Sequence, residues 1–272
     1  MIGLDVQVQR KAYRSPPTVA LEDLRFAVEP GAFVAIVGPS GSGKSTLLNI
    51  VAGLDREFEG EIGLGCTASQ SGQDATRLGF VFQQPRLMPW LTVLDNVLLV
   101  LEQTPEMTER ARALLADVGL QEFENAFPGQ LSGGMQRRVA LARAFAVKPD
   151  LLLMDEPFLS LDDPSAWRLR EQLVLLWNEY RPIVLFVTHD LREALSLAGR
   201  ILFFSDRPGR VILDHPNDIE RPRRSVDPRV AALQEQLLAA HPNLLSGFAG
   251  DAEESARDDA GIVAAPKPRA VP

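Results

Sequence analysis

The feature that most constrains this chain is GPSGSGKST, residues 38–46, set between the apolar run FVAIV and the helical run LLNIVAGL. It satisfies the spacing G-x-x-x-x-G-K-[ST] in full, with Gly38, Gly43, Lys44 and Ser45 at the defining positions. Glycines there let backbone N–H groups converge on phosphate oxygens, and the helix start that follows adds the positive end of its dipole. Lys44 is expected to reach the β- and γ-phosphates of a nucleotide and the Ser45 hydroxyl to ligate Mg²⁺. Ser40, Gly41 and Thr46 complete the expected cradle. A strand that runs into such a loop and then a helix predicts an α/β sheet with its ligand at the strand ends.

The rest of the chain carries the same alternation. Phe33–Val37, Leu151–Met154 and Ile183–Val187 are short runs of bulky or β-branched apolar residues, which read as buried parallel strands. The first ~30 residues alternate apolar and polar side chains, as antiparallel strands do. Between about 85 and 149 the signals are mostly helical, predicting a helical subdomain inserted into the α/β core. RILFFSDRPGRVILD reads as two strands joined by a Pro-Gly turn, and 227–241 has helical periodicity. The stretch 250–272 is acidic, then rich in Ala and Pro, and is expected to be a disordered tail.

Polar residues fall at the ends of the apolar runs. In LLLMDEP, Asp155 ends a strand where it can hold Mg²⁺ through water, and Glu156 is a candidate base or orienter for an attacking water. Gln83, in GFVFQQP, could touch the metal or that water, and His189, in IVLFVTHD, could hydrogen-bond a γ-phosphate. LSGGMQ, residues 131–136, has no reactive group, yet Ser132 is a good N-cap and Gly133 and Gly134 leave a helix start open to an anion. One nucleotide does not need two cradles unless the second serves another molecule.

Composition narrows the function. The formal charge of −8 argues against a nucleic-acid partner. The single cysteine, Cys66, allows no intrachain disulfide and fits a reducing cytoplasm. The N-terminus lacks the apolar core of a signal peptide, and the best apolar stretch is broken by Asp95 and Asn96, so any membrane role is expected to run through a partner.

GPSGSGKST, VFQQP, LSGGMQRRVALARA, LLLMDEP, SLD and THD, in this order over about residues 5–215, resemble the ATP-binding subunits of ABC transporters. The resemblance implies a P-loop NTPase core of ABC ATPase type over 1–249, with an N-terminal antiparallel β layer and the helical subdomain at about 85–149. It also implies ATP as nucleotide and head-to-tail pairing with a second ATPase subunit, here a homodimer because every motif is intact. Ser132, Gly133 and Gly134 would then contact the γ-phosphate held by the partner. Tyr13 would stack on adenine, Gln83 would sense Mg²⁺ and the membrane partner, Asp162 would lie in the crossing loop, and His189 would be the switch histidine.

QQPRLMPWLTVLDNV and RILFFSDRPGRV resemble the importer branch for nitrate, sulfonates, taurine and related organic anions. That implies a peripheral place on the cytoplasmic face of the cell membrane. It also implies an integral membrane permease docked near Arg86–Trp90, and indirectly a periplasmic or extracellular solute-binding protein. Trp90 could equally be plain core. Arg137 and Arg138 read as a solvated or interface face. An exporter or lipid-trafficking ATPase is the alternative, and a soluble ABC ATPase acting on DNA or ribosomes is more remote.

Overall fold

The computed structural model describes residues 2–66 and 76–248, so the tail expected over 250–272 lies outside the described residues. The chain begins as a long antiparallel hairpin, β1 (Ile2–Arg14) and β2 (Pro17–Val28), with β4 (Glu59–Cys66) on the other edge of β1. Leu4, Val6 and Val8 point inward while Asp5 and Gln7 face out, the period-two pattern of a sheet with one covered face. β4 was not anticipated: EGEIGLGC has few β-branched residues, and its strand conformation comes from its register with β1.

The second sheet holds β3 (Phe33–Val37), β5 (Leu78–Val81), β6 (Leu151–Asp155), β7 (Ile183–Thr188), β8 (Arg200–Phe204) and β9 (Val211–Pro216). Its order is β5-β6-β7-β3-β8-β9, with all neighbours parallel except β8 and β9. The three runs read as parallel strands are β3, β6 and β7, and the Pro-Gly segment is the β8–β9 turn. Because β3 lies inside the sheet between β7 and β8, the loop after it opens at the middle of the sheet's carboxyl edge.

Both faces of this sheet are covered, as a parallel sheet requires. Val34, Ile36, Leu153, Leu185 and Leu202 pack with β1, β2 and α1 (Lys44–Val51) in one core. Phe33, Ala35, Met154, Phe186 and Phe203 pack with the remaining helices in the other. Those helices are α2 (Val93–Leu98), α3 (Pro105–Asp117), α4 (Gly133–Ala146), α5 (Asp163–Tyr180), α6 (Leu191–Leu197) and α7 (Pro228–Ala240). Residues 85–149 hold α2, α3 and α4 and two short 3-10 turns.

Helix starts are specified locally. Thr92, Thr104, Ser132, Asp162, Asp190 and Asp227 each accept an N–H of the first turn from the N-cap position. Among the described α-helices, α1 alone has no side-chain cap; its N-cap is Gly43, with φ 92°. Its first N–H groups are left for something else. No described helix is long and apolar enough to cross a membrane.

Candidate active site at the carboxyl edge of the parallel sheet

A cleft of about 470 Å³ opens where β3, β5 and β6 end, bordered by Ser40, Gly41, Gly43, Lys44, Ser45 and Thr46 from the loop and α1. The loop is held tightly. A Cβ on Gly38 would lie 2.9 Å from the Phe204 Cβ, and one on Gly43 would lie 2.7 Å from the Ala20 carbonyl oxygen. Gly41 and Gly43 also take positive φ, 84° and 92°, which glycine adopts without steric penalty. Lys44 is buried and its Nζ donates to the Gly38 and Pro39 carbonyls at 2.9 and 2.7 Å. Burial lowers the pKa of this ammonium, and the carboxylates of Glu156 and Asp155 oppose the shift.

The acidic half comes from β6. The Ser45 hydroxyl donates to Asp155 Oδ1 at 3.0 Å, joining the start of α1 to the end of the strand. Burial raises the Asp155 pKa; the Ser45 hydrogen bond and the Lys44 and Arg86 charges oppose that rise, and Glu156 adds to it. A hydroxyl and a carboxylate oxygen at this spacing form an oxygen donor set suited to a small hard cation such as Mg²⁺.

Glu156 sits between two other strand-end residues. Gln83 Nε2 donates to its Oε2 at 3.5 Å, and His189 Nδ1 lies 3.4 Å from its Oε1. Thus β5, β6 and β7 each contribute one member of the cluster. Gln83, Asp155 and Glu156 border the cleft, while His189 reaches it through Glu156. Glu156 also takes φ 43°, a left-handed conformation costing about 1–3 kcal/mol for a residue with a side chain. Its N–H donates to the Val187 carbonyl at 3.0 Å, which ties the strained peptide to β7.

Arg137 and Arg138 correct the reading of a solvated or interface face, because both are spent on carbonyls of their own chain. Arg137 Nη1 donates to the Pro157 carbonyl at 2.7 Å and its Nη2 to the Leu159 carbonyl at 2.5 Å, so α4 is bound to the loop that follows Glu156. Arg138 is also half-buried and donates to the Val118 carbonyl at 3.0 Å. The plain repeat of two arginines on a helix gave no sign of either contact.

Tyr13 is 41% exposed on the wall of the cleft, its hydroxyl 3.2 Å from Thr46 Oγ1 and the Lys11 ammonium 4.7 Å from its ring centre. Ser132, Gly133, Gly134 and Asp162 do not border this cleft. They lie together elsewhere: Asp162 caps α5, accepting from Ser165 N–H at 3.3 Å, and a Cβ on Gly134 would come 3.1 Å from Ser165 Oγ. A residue the motifs did not single out, Arg207, borders the cleft from the β8–β9 turn and donates from Nε to the Gly41 carbonyl at 3.0 Å.

Comparison with known proteins agrees with this geometry. The model of the family described as ABC transporter matches residues 21–159. An aliphatic sulfonates import ATP-binding protein of Burkholderia cenocepacia is 42% identical over 248 residues, covering 91% of this chain and 90% of the relative. One of the same name from Bacillus anthracis is 38% identical over 234 residues, covering 85% and 92%. The dimeric structure of a bacterial ABC transporter cassette superposes with a TM-score of 0.67 at 36% identity, over 79% of this chain and 98% of that one. A strand-borne phosphate loop, a cluster of strand-end polar residues and a second glycine-rich helix start thus coincide with similarity over most of the length, and the chain belongs to the ABC transporter ATPases.

Proposed function

We propose that two copies of this chain close around two ATP molecules, and that hydrolysis drives import of a small organic anion of the sulfonate class through a separate membrane permease. The observation that carries the reading is the placement of Glu156 between Gln83 and His189 at the rim of the phosphate loop. The names of the relatives, aliphatic sulfonates import ATP-binding proteins, support the direction and the solute class.

In this reading the loop N–H groups and the uncapped start of α1 bind the β- and γ-phosphates, with Lys44 neutralising their charge. Ser45 and Asp155, with Gln83 beside them, would hold Mg²⁺, which supplies charge neutralisation at the phosphate oxygens. Glu156 takes a proton from the attacking water as its oxygen bonds to the γ-phosphorus and the bond to ADP breaks. His189 holds the Glu156 carboxylate in place and donates to the γ-phosphate. Tyr13 packs against the adenine. Ser132, Gly133 and Gly134 of one copy cover the γ-phosphate bound by the other, with Asp162 at the crossing between copies. The γ-phosphate contacts then supply the preference for the closed pair that a ligand-driven switch requires.

The permease would meet residues 86–90. Trp90 is 71% exposed there, on a loop whose backbone is pinned: Arg143 donates to the Pro85 and Arg86 carbonyls at 2.9 and 3.0 Å. The buried Asn96 accepts from Met88 N–H at 2.7 Å and donates to the Met88, Leu91 and Thr92 carbonyls. An exposed aromatic on a fixed loop suits a groove for a short helix.

The test is Glu156→Gln. Hydrolysis should fall by a factor of about 10³ while ATP binding persists and light scattering reports a dimer with ATP. Capture of the tagged variant with MgATP from detergent-solubilised cells should bring down a polytopic membrane protein. Wild-type hydrolysis by the variant removes Glu156 as the base; nucleic-acid-bound or ribosomal partners without a membrane protein remove the transport reading.

A further inference from the structure

The segment SDRPGR, residues 205–210, forms the β8–β9 turn, and it is wedged against the phosphate loop. The Gly209 N–H donates to the Ala20 carbonyl at 2.9 Å, and the Glu22 N–H donates to the Gly209 carbonyl at 3.2 Å. A Cβ on Gly209 would lie 2.1 Å from the Ser42 carbonyl oxygen, so only glycine allows this approach. Within the turn, Ser205 Oγ donates to the Pro208 carbonyl at 2.7 Å and accepts from Arg210 N–H at 2.9 Å. From the outside, Gly247 presses on it closely enough that a Cβ there would sit 2.1 Å from the Asp206 nitrogen. Contacts from β2, the phosphate loop and the 244–248 segment therefore fix where the next side chain, Arg207, can be.

Arg207 is exposed and borders the same cleft as Tyr13, Lys44 and Thr46. Its Nε donates to the Gly41 carbonyl at 3.0 Å. Its neighbour Arg210 is paired with Glu22, whereas Arg207 has no ion pair among the described residues. A guanidinium has five N–H donors in a rigid fork; one is spent on Gly41, and the others retain their charge and directionality. An unpaired cation held at the mouth of a phosphate cradle has an evident counter-charge in the ligand.

We propose that Arg207 is a nucleotide-binding residue, its guanidinium fixed on the Gly41 carbonyl and donating to the phosphates of the nucleotide seated in the loop. The proposal rests on the reading of this cleft as the ATP site. Arg207 acts from the Gly41 side of the loop, whereas Ser45, Asp155 and Glu156 gather at the hydrolytic end. The contact assigned here is to the phosphates that ATP and ADP share, so it adds affinity without changing the chemical step.

Calorimetric titration of purified wild type, Arg207→Ala, Arg207→Lys and Lys44→Ala with ATP and ADP tests it, alongside steady-state hydrolysis. The expected result for Arg207→Ala is a rise of about 5- to 10-fold in both dissociation constants and in KM, with kcat and the melting temperature of the nucleotide-free protein unchanged. Arg207→Lys should recover part of the loss, and raised salt should shrink the gap between wild type and Arg207→Ala. Unchanged dissociation constants in Arg207→Ala overturn the proposal. So does a fall in kcat or melting temperature with affinity preserved, which would make Arg207 a clamp on the loop and nothing more. If wild type itself fails to bind ATP, or binds no better than Lys44→Ala, the reading of the cleft fails instead.

Discussion

The starts of α1 and α4 are both glycine-bearing helix N-termini, and they are built in opposite ways. At α1 no side chain caps the helix, two glycines take positive φ, and β2 and β8 crowd the loop so closely that a Cβ on Gly38 or Gly43 has no room. At α4, Ser132 accepts the Met135 N–H at 3.3 Å, and a Cβ on Gly133 would find nothing within 4 Å. One end is preorganised by its own chain, with its donors left free. The other is a finished helix start whose glycine faces open space. The difference teaches that sparing side chains can serve two ends: close packing within a chain, or close approach by something outside it.

Exchanging charges at the two ends breaks the comparison most sharply. Lys44→Ala and Gly133→Asp should each lower hydrolysis by about 10²-fold or more, the first by removing a cation and the second by meeting phosphate with a carboxylate. Gly133→Asp should leave thermal melting unchanged or slightly raised, because an acid in the first turn suits the helix dipole. Mixing the two inactive chains should restore up to about a quarter of wild-type activity, since half of randomly paired dimers hold one intact composite site. No recovery on mixing would mean that each chain completes its site alone.

The next largest effect should come from the strut between α4 and β6. Arg137→Ala leaves the Pro157 and Leu159 carbonyls without their donor. It should cost about 2–3 kcal/mol in urea unfolding and lower kcat about tenfold through misplacement of Glu156. Full activity with reduced stability would make the strut purely structural.

These two experiments separate what was legible in the sequence from what was not. The phosphate loop and the strands around it could be read because their information is local: nine consecutive residues between two apolar runs specify turn, helix and charge together. Gln83, Glu156 and His189 could be proposed as neighbours because strand ends in a parallel sheet share an edge. Arg137 could not be placed, because an arginine on a helix is solvated by default and its carbonyl partners lie about 20 residues on. Arg207 meets Gly41 across 166 residues, and its RPGR setting carried family likeness rather than geometry. β4 escaped for a related reason, its strand conformation being imposed by β1.

Smaller effects sharpen the account. Asn96→Ala should destabilise the chain by about 2–3 kcal/mol, since it strips the buried amide from the backbone of Met88, Leu91 and Thr92. Hydrolysis by the purified chain should be unaffected, and a loss there would tie the 86–90 loop to catalysis. Smallest is the stability change in Asp155→Asn. Burial raises the folded-state pKa of Asp155, so the folded chain holds that proton more tightly than the unfolded chain. The ionised carboxylate therefore weakens the fold above its folded pKa, and the penalty fades as pH falls through that value. Asp155→Asn should melt about 2 °C higher at pH 7, the advantage shrinking on acidification, although hydrolysis is lost.

The pinned backbone around Trp90 has a mechanical meaning. A loop free to flex would absorb a push at its tip as local bending. Here Arg143, on α4, grips the Pro85 and Arg86 carbonyls, and Asn96, on α2, grips the backbone from Met88 to Thr92. In the proposed docking, a push at the indole meets a backbone held by side chains of both α2 and α4. Through Arg137 the same α4 holds the peptides that follow Glu156, the proposed base, so one helix joins the loop bearing Trp90 to the loop bearing that carboxylate.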